Sequence, residues 1–362
     1  MAVVKQHKVV ASLPDPLEAD SIYYVRAGDG VDVYVTNGAG MVVAYPVNVG
    51  GGGLTLFTES ASTAAPNNTV PANSLAPVSA AANVDFVVAP KGTGAILAQV
   101  PDGTTSGGNK RGANAVDLQL SRYLPTRVAS GLSAVAFGVN NEASGFNSVS
   151  VGLNNVASGP YSLAIGQENT VSNNTSVAIG GYCTSSGVSS VAIGIANQAA
   201  GRGSTALGQR TTTRGIEGAL SYGSASPPTG QQQMELIPLR WDTSSQSPTQ
   251  LTSNGATPST TNTAVMPNNS AYDCTIRVIA RNTNTNECKR WSGTALIRRG
   301  ANAASTTLVG SSISSDFGDP GMDACTVTLS ADTTRGGLAV IVTGLASTTV
   351  RWVAQIETVE AA

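Results

Sequence analysis

Between Gly131 and Gly215, glycine returns every fourteen residues in two interleaved series, a pattern that few folds can hold. Gly138, Gly152, Gly166, Gly180, Gly194 and Gly208 form one unbroken series. Gly131, Gly145, Gly159, Gly187, Gly201 and Gly215 form the other, with Asn173 in the remaining position. Asn is the non-glycine residue that best tolerates a left-handed backbone, so both series read as turns. A short apolar run precedes each first-series glycine: Ser-Val-Ser-Val at 148–151, Ser-Leu-Ala-Ile at 162–165, Ser-Val-Ala-Ile at 176–179 and again at 190–193. Asn141, Asn155, Asn169 and Asn197 recur at a further phase suited to a turn, and Cys183 interrupts them. Self-similarity at fixed period indicates a stack of like units.

Fourteen is also two heptads, but a coiled coil fails here. Two glycines per repeat would cost about 2 kcal/mol of helix propensity, and no Leu or Ile seam fills the a and d positions. Ser-Val-Ala-Ile between glycines reads instead as a short strand between corners. Coils stacked at about 4.8 Å would make a rod section of roughly 30 Å from six repeats. One parity of each strand carries Val177 and Ile179, the other Ser176 and Ala178, and neither is charged. Only one parity can face into a coil. Strands without a charged face have both faces covered, so partner chains must cover the outside, and three coils around an axis suffice.

The rest of the 362-residue chain frames this array. Residues 1–50 read as a small β-meander, with strands near 22–25, 31–36 and 41–46 separated by Gly-Asp-Gly and Asn-Gly turns. Residues 51–124 read as an extended shaft, with a short strand pair at 84–88 and 95–100 and an exposed loop at 103–112. The roll is expected over 125–223, followed by a proline-containing linker. Residues 231–362 offer six strand candidates, at 235–240, 272–281, 289–298, 325–330, 338–343 and 350–358, and suggest an antiparallel β-sandwich. The expected class is therefore all-β.

Charge and residue counts narrow the function. A net charge of −2 and basic spots only two residues long argue against nucleic acid. No apolar stretch approaches the ~20 residues of a membrane span, and the first twelve residues hold too short an apolar run for a signal peptide. The single histidine, His7, is expected in a loose terminus, which removes a His-based triad or zinc site elsewhere. Cys183, Cys274, Cys288 and Cys325 show no metal-type spacing and are expected as free thiols, although Cys274 and Cys288 flank a turn.

The glycine-bounded Ser-x-Ala-x-Gly runs resemble the haemagglutinin-type head repeats of trimeric autotransporter adhesins. That resemblance implies a left-handed parallel β-roll packed as a homotrimer. Segments 14–48, 90–122, 266–272, 301–310 and 351–359 resemble modules of tail fibres of tailed bacteriophages. It implies a virion component assembled in the host cytoplasm. The N-terminal region would attach to tail or baseplate proteins, and the C-terminal domain would meet a host surface glycan or protein. A capsid-attached fibre and a fibre-borne glycan depolymerase are the alternatives. A secreted adhesin would need a signal peptide, a heptad stalk and a membrane-anchoring barrel, none of which is read here.

Glycoside hydrolysis needs two carboxylates about 5–10 Å apart, and Glu142 and Glu168, the two acids between Gly131 and Gly215, sit at different phases. The chain is therefore expected to be no enzyme and to need no cofactor. The run from Ser315 to Asp323 reads as a loop, and its Asp316, Phe317, Asp319 and Asp323 are the candidate receptor contacts. It lacks the order of a calcium loop, so no metal is expected there. Trp291 and Trp352 fall in strand candidates and are expected in the core.

Overall fold

The computed structural model describes residues 6–10, 12–27, 30–44, 57–62, 69, 72–77, 81–224, 230 and 232–362. The chain divides into two units, Met1–Val88 and Ala89–Ala362.

In the first unit, strands Ser21–Ala27, Gly30–Thr36 and Val42–Ala44 form the expected antiparallel meander. Asn37 closes its second turn by accepting the amide protons of Ala39 and Met41, both at 3.0 Å. A fourth strand, Gln6–Val10, adds parallel to Ser21–Ala27, so His7 lies in a sheet rather than a loose terminus. Phe57–Ser62 and Ala72–Pro77 form a separate antiparallel pair. The tetraglycine linker at 50–53, the first turn's Gly28 and Asp29, and most of the linker after the roll lie outside the described residues.

The second unit opens on a parallel ladder. Strands Val135–Val139, Val149–Leu153, Leu163–Gln167, Val177–Gly181, Val191–Ile195 and Thr205–Gln209 pair in register fourteen residues apart, Val149 against Leu163 and Leu163 against Val177. A second ladder of two-residue strands, from Glu142–Ala143 to Gln198–Ala199, forms the opposite wall of the roll. The long ladder reaches beyond the repeat at both ends. Leu220–Ser224 closes it, and Val116–Ser121 and Ile96–Leu97 precede it. Residues 84–88, expected as a strand, are exposed and irregular. The expected exposed loop at 103–112 is exposed at 103–106 and 109–110, and turns inward at Gly107, Gly108 and Arg111. Arg111, buried, donates to Asp117 at 2.7 Å, and Gly107 and Gly108 are buried beside it. This ion pair fills the interior where the roll starts.

Side-chain parity builds the roll's interior. Ser148, Ala164, Ser176, Ala178, Ser190 and Ala192 point inward and are fully buried. Asn141, Asn155 and Asn169 are buried too, as a ladder rather than as turn residues. Asn155 donates through Nδ2 to the carbonyls of Val151 and Gly166, and its Oδ1 accepts the backbone N–H of Asn169 at 3.0 Å. Small residues inside let the coil be thin. The larger Val, Leu and Ile side chains of the long strands face out, while Val171 of the short ladder is buried inside.

The two glycine series serve different ends. Gly166 has φ +118°, and a Cβ there would sit 2.0 Å from the Gly180 carbonyl oxygen of the next coil. The second series meets only the crowding as far as Gly201, whereas Gly215 has φ +80° and open space around it. A Cβ on Gly145 would lie 2.1 Å from the Gly159 oxygen, yet Gly145 and Asn173 are not left-handed. The left-handed corners fall elsewhere, on Asn140, Asn154, Glu168, Tyr182, Ala196 and Arg210, and on the set from Ser133 to Ser189. These corner side chains project away from the coil, which removes their packing constraint and lets their identity vary.

Leu220–Ser224 pairs antiparallel with Gln233–Thr243, and through it the parallel ladder runs into an antiparallel sheet. That sheet continues through Val350–Ala361, Ser270–Asn282, Cys288–Arg299 and Thr307–Gly318. Thr249–Gln250, Gly337–Thr343, Ala264–Val265 and Thr326–Asp332 form the facing sheet. The sandwich between them buries Trp291, Trp352, Ile276, Ile297, Ile356, Val340 and Val342. Trp352 also donates its indole N–H to Thr243 at 2.9 Å. All six strand candidates are present. Cys274 pairs with Ala295 and Cys288 with Arg281, so these thiols do not meet, and all four cysteines are free.

Candidate functional site

The large sheet presents one continuous outward face. On the roll it is a double row of apolar side chains, Val149, Leu163, Val177 and Val191 beside Val151, Ile165, Ile179 and Ile193, all at least partly exposed. The opposite wall shows Glu142, Thr170, Thr184 and Gln198 to solvent. The roll is thus apolar outside on one wall only, which is the wall that continues into the sandwich.

Beyond the roll, that face changes chemistry along the strands. The row nearest the linker remains apolar, with Tyr222 opposite Met234 and Met234 opposite Val359. Six residues further along, Arg240 faces Val353, Val353 faces Ile279, Ile279 faces Arg290, and Arg290 faces Phe317.

Phe317 is therefore on a strand, not a loop. Residues 307–318 were not among the strand candidates because Gly-Ser-Ser-Ile-Ser-Ser lacks the β-branched density that marks a strand. Leu308 and Ile313 both pack against the core, but a bulge between them breaks the alternation that would have revealed the strand. The ring is 74% exposed, and the Arg290 guanidinium lies 6.0 Å from its centre. Phe317 lines a cavity of about 580 Å³ with Ile279, Lys289, Arg290, Asp316 and Asp319.

The acids around that ring are held differently. Asp316 accepts from Ser292 at 2.6 Å and from Arg290 at 3.2 Å. Asp319 accepts the Cys288 backbone N–H at 2.8 Å and precedes the short helical turn Pro320–Met322. Asp323 stands outside the cavity, largely exposed, 3.7 Å from Lys289. The structure thus joins Asp316, Phe317 and Asp319 and leaves Asp323 at the rim. Among the described residues no group of three acidic, Cys or His side chains is placed to hold a metal. Glu142 and Glu168 stay apart as expected, Glu142 accepting from Ser144 and Glu168 occupying a left-handed corner.

A buried ionic cluster that the sequence did not announce joins the roll to the sandwich. Arg214, after the last full coil, donates to Glu235 at 2.8 Å and to Glu360, and lies over the Tyr272 ring at 5.4 Å. Ser221 and Thr358 donate to these two carboxylates at 2.8 and 2.6 Å. Burial pushes the Glu235 carboxyl up to about 8, against the pull of Arg214 and with the added repulsion of Glu360. One arginine between two buried carboxylates favours a retained proton. Four separate strands and a loop supply these groups, so no local motif marks them.

Among the described residues, no helix is long and apolar enough to cross a membrane. The comparisons bear out the roll. Residues 129–155, 157–182 and 185–211 match the YadA head domain repeat. No curated protein sequence matches the chain. Among solved structures, the tailspike protein gp49 of the Acinetobacter baumannii bacteriophage Fri1, a capsular polysaccharide depolymerase, is similar at 10% identity with a TM-score of 0.23. That likeness covers 67% of this chain and 43% of the tailspike, so the present chain spans less than half of that protein's length. The expectation that the chain is no enzyme is corrected. A solved structure similar to it is a depolymerase. Outside the roll, the fold sets the carboxylates of Asp316 and Asp319 on one cavity wall. Over residues 129–211 the chain is thus similar to the YadA head domain repeat, and there it forms a β-solenoid that continues into a β-sandwich.

Proposed function

We propose that the chain is a homotrimeric fibre of a tailed bacteriophage whose C-terminal sandwich holds a glycan of the host surface. The observation that carries this reading is Phe317, an exposed ring on a cavity wall of hydrogen-bonding side chains, at the end of a stacked rod. A sugar ring stacks its apolar face on an aromatic while charged and amide groups order its hydroxyls. The apolar wall of the roll supports three copies side by side, because water contact with two rows of Val, Leu and Ile is unfavourable. Three such sites on one stem would bind together far more tightly than one. The N-terminal unit would then join the particle at its tail or baseplate.

A second reading, in which the cavity also cleaves the glycan, is favoured by Asp316 and Asp319 on one wall, since carboxylate pairs serve as acid and base. Both readings are tested with the purified full-length chain on cells of the host. Binding that falls about tenfold in Phe317→Ala supports the glycan site. Binding unaffected by that change counts against it. Reducing ends released from host polysaccharide, and lost in Asp316→Asn, establish cleavage; intact polysaccharide after prolonged incubation rejects it.

A further inference from the structure

We infer that the Phe317 cavity is one end of a groove across the sheet that takes an acidic polysaccharide; this rests on the glycan reading above. The row Arg240, Val353, Ile279, Arg290, Phe317 crosses five adjacent strands. At about 4.8 Å between strands it spans roughly 19 Å, enough for three or four sugar units. A second cavity, of about 660 Å³, lies at its other end, lined by Arg240, Trp241, Asp242, Asn254, Arg351 and Val353. Val353 lines this cavity and Ile279 lines the first, and the two residues are direct cross-strand partners. Nothing but that apolar pair separates the two hollows along the row.

Arginines outnumber the acids on this ground, which are Asp242, Asp316 and Asp319. Arg240, Arg277, Arg281, Arg290 and Arg351 point outward from the same few rows, in a chain whose net charge is −2. Asp242 and Asp316 are already engaged, by Arg351 at 2.9 Å and Arg290 at 3.2 Å. Arg240, Arg277 and Arg281 have no carboxylate partner among the described residues. Hydrogen bonds from Arg351, opposed by partial burial and helped by the Arg351, Arg240 and Arg281 charges, hold the Asp242 carboxyl below its usual range. An anion arriving here meets the same field.

Planar guanidinium forks recognise carboxylates two bonds at a time. Here they alternate with the apolar side chains of Val353 and Ile279, and the row ends on the Phe317 ring, on which a ring face can rest. Densely charged nucleic acid would gain from an unbroken basic stripe, and this row breaks it with Val353 and Ile279. The nearer of the two apolar rows, which reaches Leu236 through Leu220, lies four residues away along the strands, about 13 Å, which leaves the groove clear of the wall proposed to join the copies.

The test is calorimetric titration of the full-length protein with three acidic oligosaccharides: hexagalacturonate, a hyaluronate hexamer and a guluronate hexamer. The methyl ester of hexagalacturonate and single-stranded dT20 complete the set. The groove predicts binding of at least one acid, no binding of the neutral ester, and a roughly tenfold loss in both Arg240→Gln and Arg281→Gln. Those two side chains are exposed or half-buried on the sheet surface, so folding is expected to survive; an unchanged melting curve checks it. Binding of none of the acids, equal binding of the ester, or affinity untouched by both substitutions overturns the groove. So does dT20 bound as tightly with the same losses, which would mark a general polyanion surface. If cells are still bound through Phe317 while no acid is, the glycan site stands and only the acidic groove falls.

Discussion

The roll and the sandwich solve the burial problem in opposite ways. The sandwich keeps two tryptophans and a set of Ile and Val between its sheets and mixes arginines with a few apolar residues, such as Ile279 and Val353, outside. The roll keeps Ala, Ser and Asn inside and turns its Val, Leu and Ile outward along one wall. A coil of fourteen residues has no room for more, because two walls joined by tight corners leave space for little beyond a methyl or hydroxyl group. Its interior is stabilised by backbone and amide hydrogen bonds, and its apolar surface is left for a partner. The sandwich encloses an apolar core of its own; the roll leaves apolar side chains along its outer wall.

The sharpest break of this contrast is steric. Gly166→Val would set a Cβ 2.0 Å from the Gly180 oxygen at φ +118°. Stacking at the 14-residue register leaves no way to relax, so a loss above about 4 kcal/mol per chain is expected. Circular dichroism of the purified chain should show the roll's cooperative melt abolished. Gly310 lies in the sandwich with open space around its would-be Cβ. Gly310→Ala should change stability by less than about 1 kcal/mol.

Next in size is the outer wall. Ile179→Asp with Ile165→Asp places two charges among apolar rows that the roll itself does not bury. Sedimentation should show trimers replaced by single chains, while far-ultraviolet dichroism of the coils persists at low temperature. Trimers that survive these changes would place the contact elsewhere. Ile276→Ala, in the sandwich core, should do the reverse. It should cost about 2–5 kcal/mol of stability by opening a cavity, with the oligomer unchanged.

The contrast also explains what was legible in the sequence. A repeat writes its register fourteen residues at a time, so Gly138 to Gly208 and the inward Ser-x-Ala parity could be read directly. The six sandwich strands showed because Thr275, Arg277 and Ile279 alternate with Ile276, Val278 and Ala280. Thr307–Gly318 did not show, since an edge strand that is mostly exposed needs no apolar face. Phe317 was named, but its surroundings were not. Ile279, Lys289 and Arg290 reach it only through strand pairing, and Arg240 lies five strands across. Asn155 and its equivalents were taken for turn residues because propensity records where Asn is tolerated, and says nothing of a ladder made by neighbouring coils. The Arg214 cluster, drawn from residues 146 positions apart, had no local signal at all.

That cluster gives a pH-dependent prediction at the seam between the two regions. Glu235 carries a folded-state value of about 8, above the ordinary 4.5 of the unfolded chain. Between those values the unfolded chain sheds a proton that the folded chain keeps, so stability falls as pH rises from about 5 to 8. Glu235→Gln removes the titration and retains a hydrogen-bonding side chain. Its melting temperature should be flatter over that window than that of the parent, by several degrees in the difference. Asp332, whose value is lowered chiefly through hydrogen bonds from Arg335 and Gln250 despite burial, adds stability that is lost only in acid. It does not blur the window. An unchanged slope in Glu235→Gln would mean that the seam is not proton-linked.

The smallest expected effect is the most discriminating, because one substitution should change sign between the two regions. Cys183 stands where the ladder requires Asn: its N–H already donates to Asn169 Oδ1 at 3.0 Å, and its Sγ lies 3.3 Å from the Gly194 oxygen. Cys183→Asn offers the amide that Asn169 uses toward Ile165 and Gly180 one coil earlier. A gain of about 1 kcal/mol per chain is expected, read as a higher melting temperature of the roll. Cys274 is equally buried, but among Ile276, Ile297 and Tyr272, where burial pushes its thiol up to about 12. Cys274→Asn has no ladder to join and should cost about 2–3 kcal/mol for an amide buried without partners. If both substitutions destabilise alike, the amide ladder is not what holds the coils together, and the roll's interior would have to be explained by the fit of its small side chains alone.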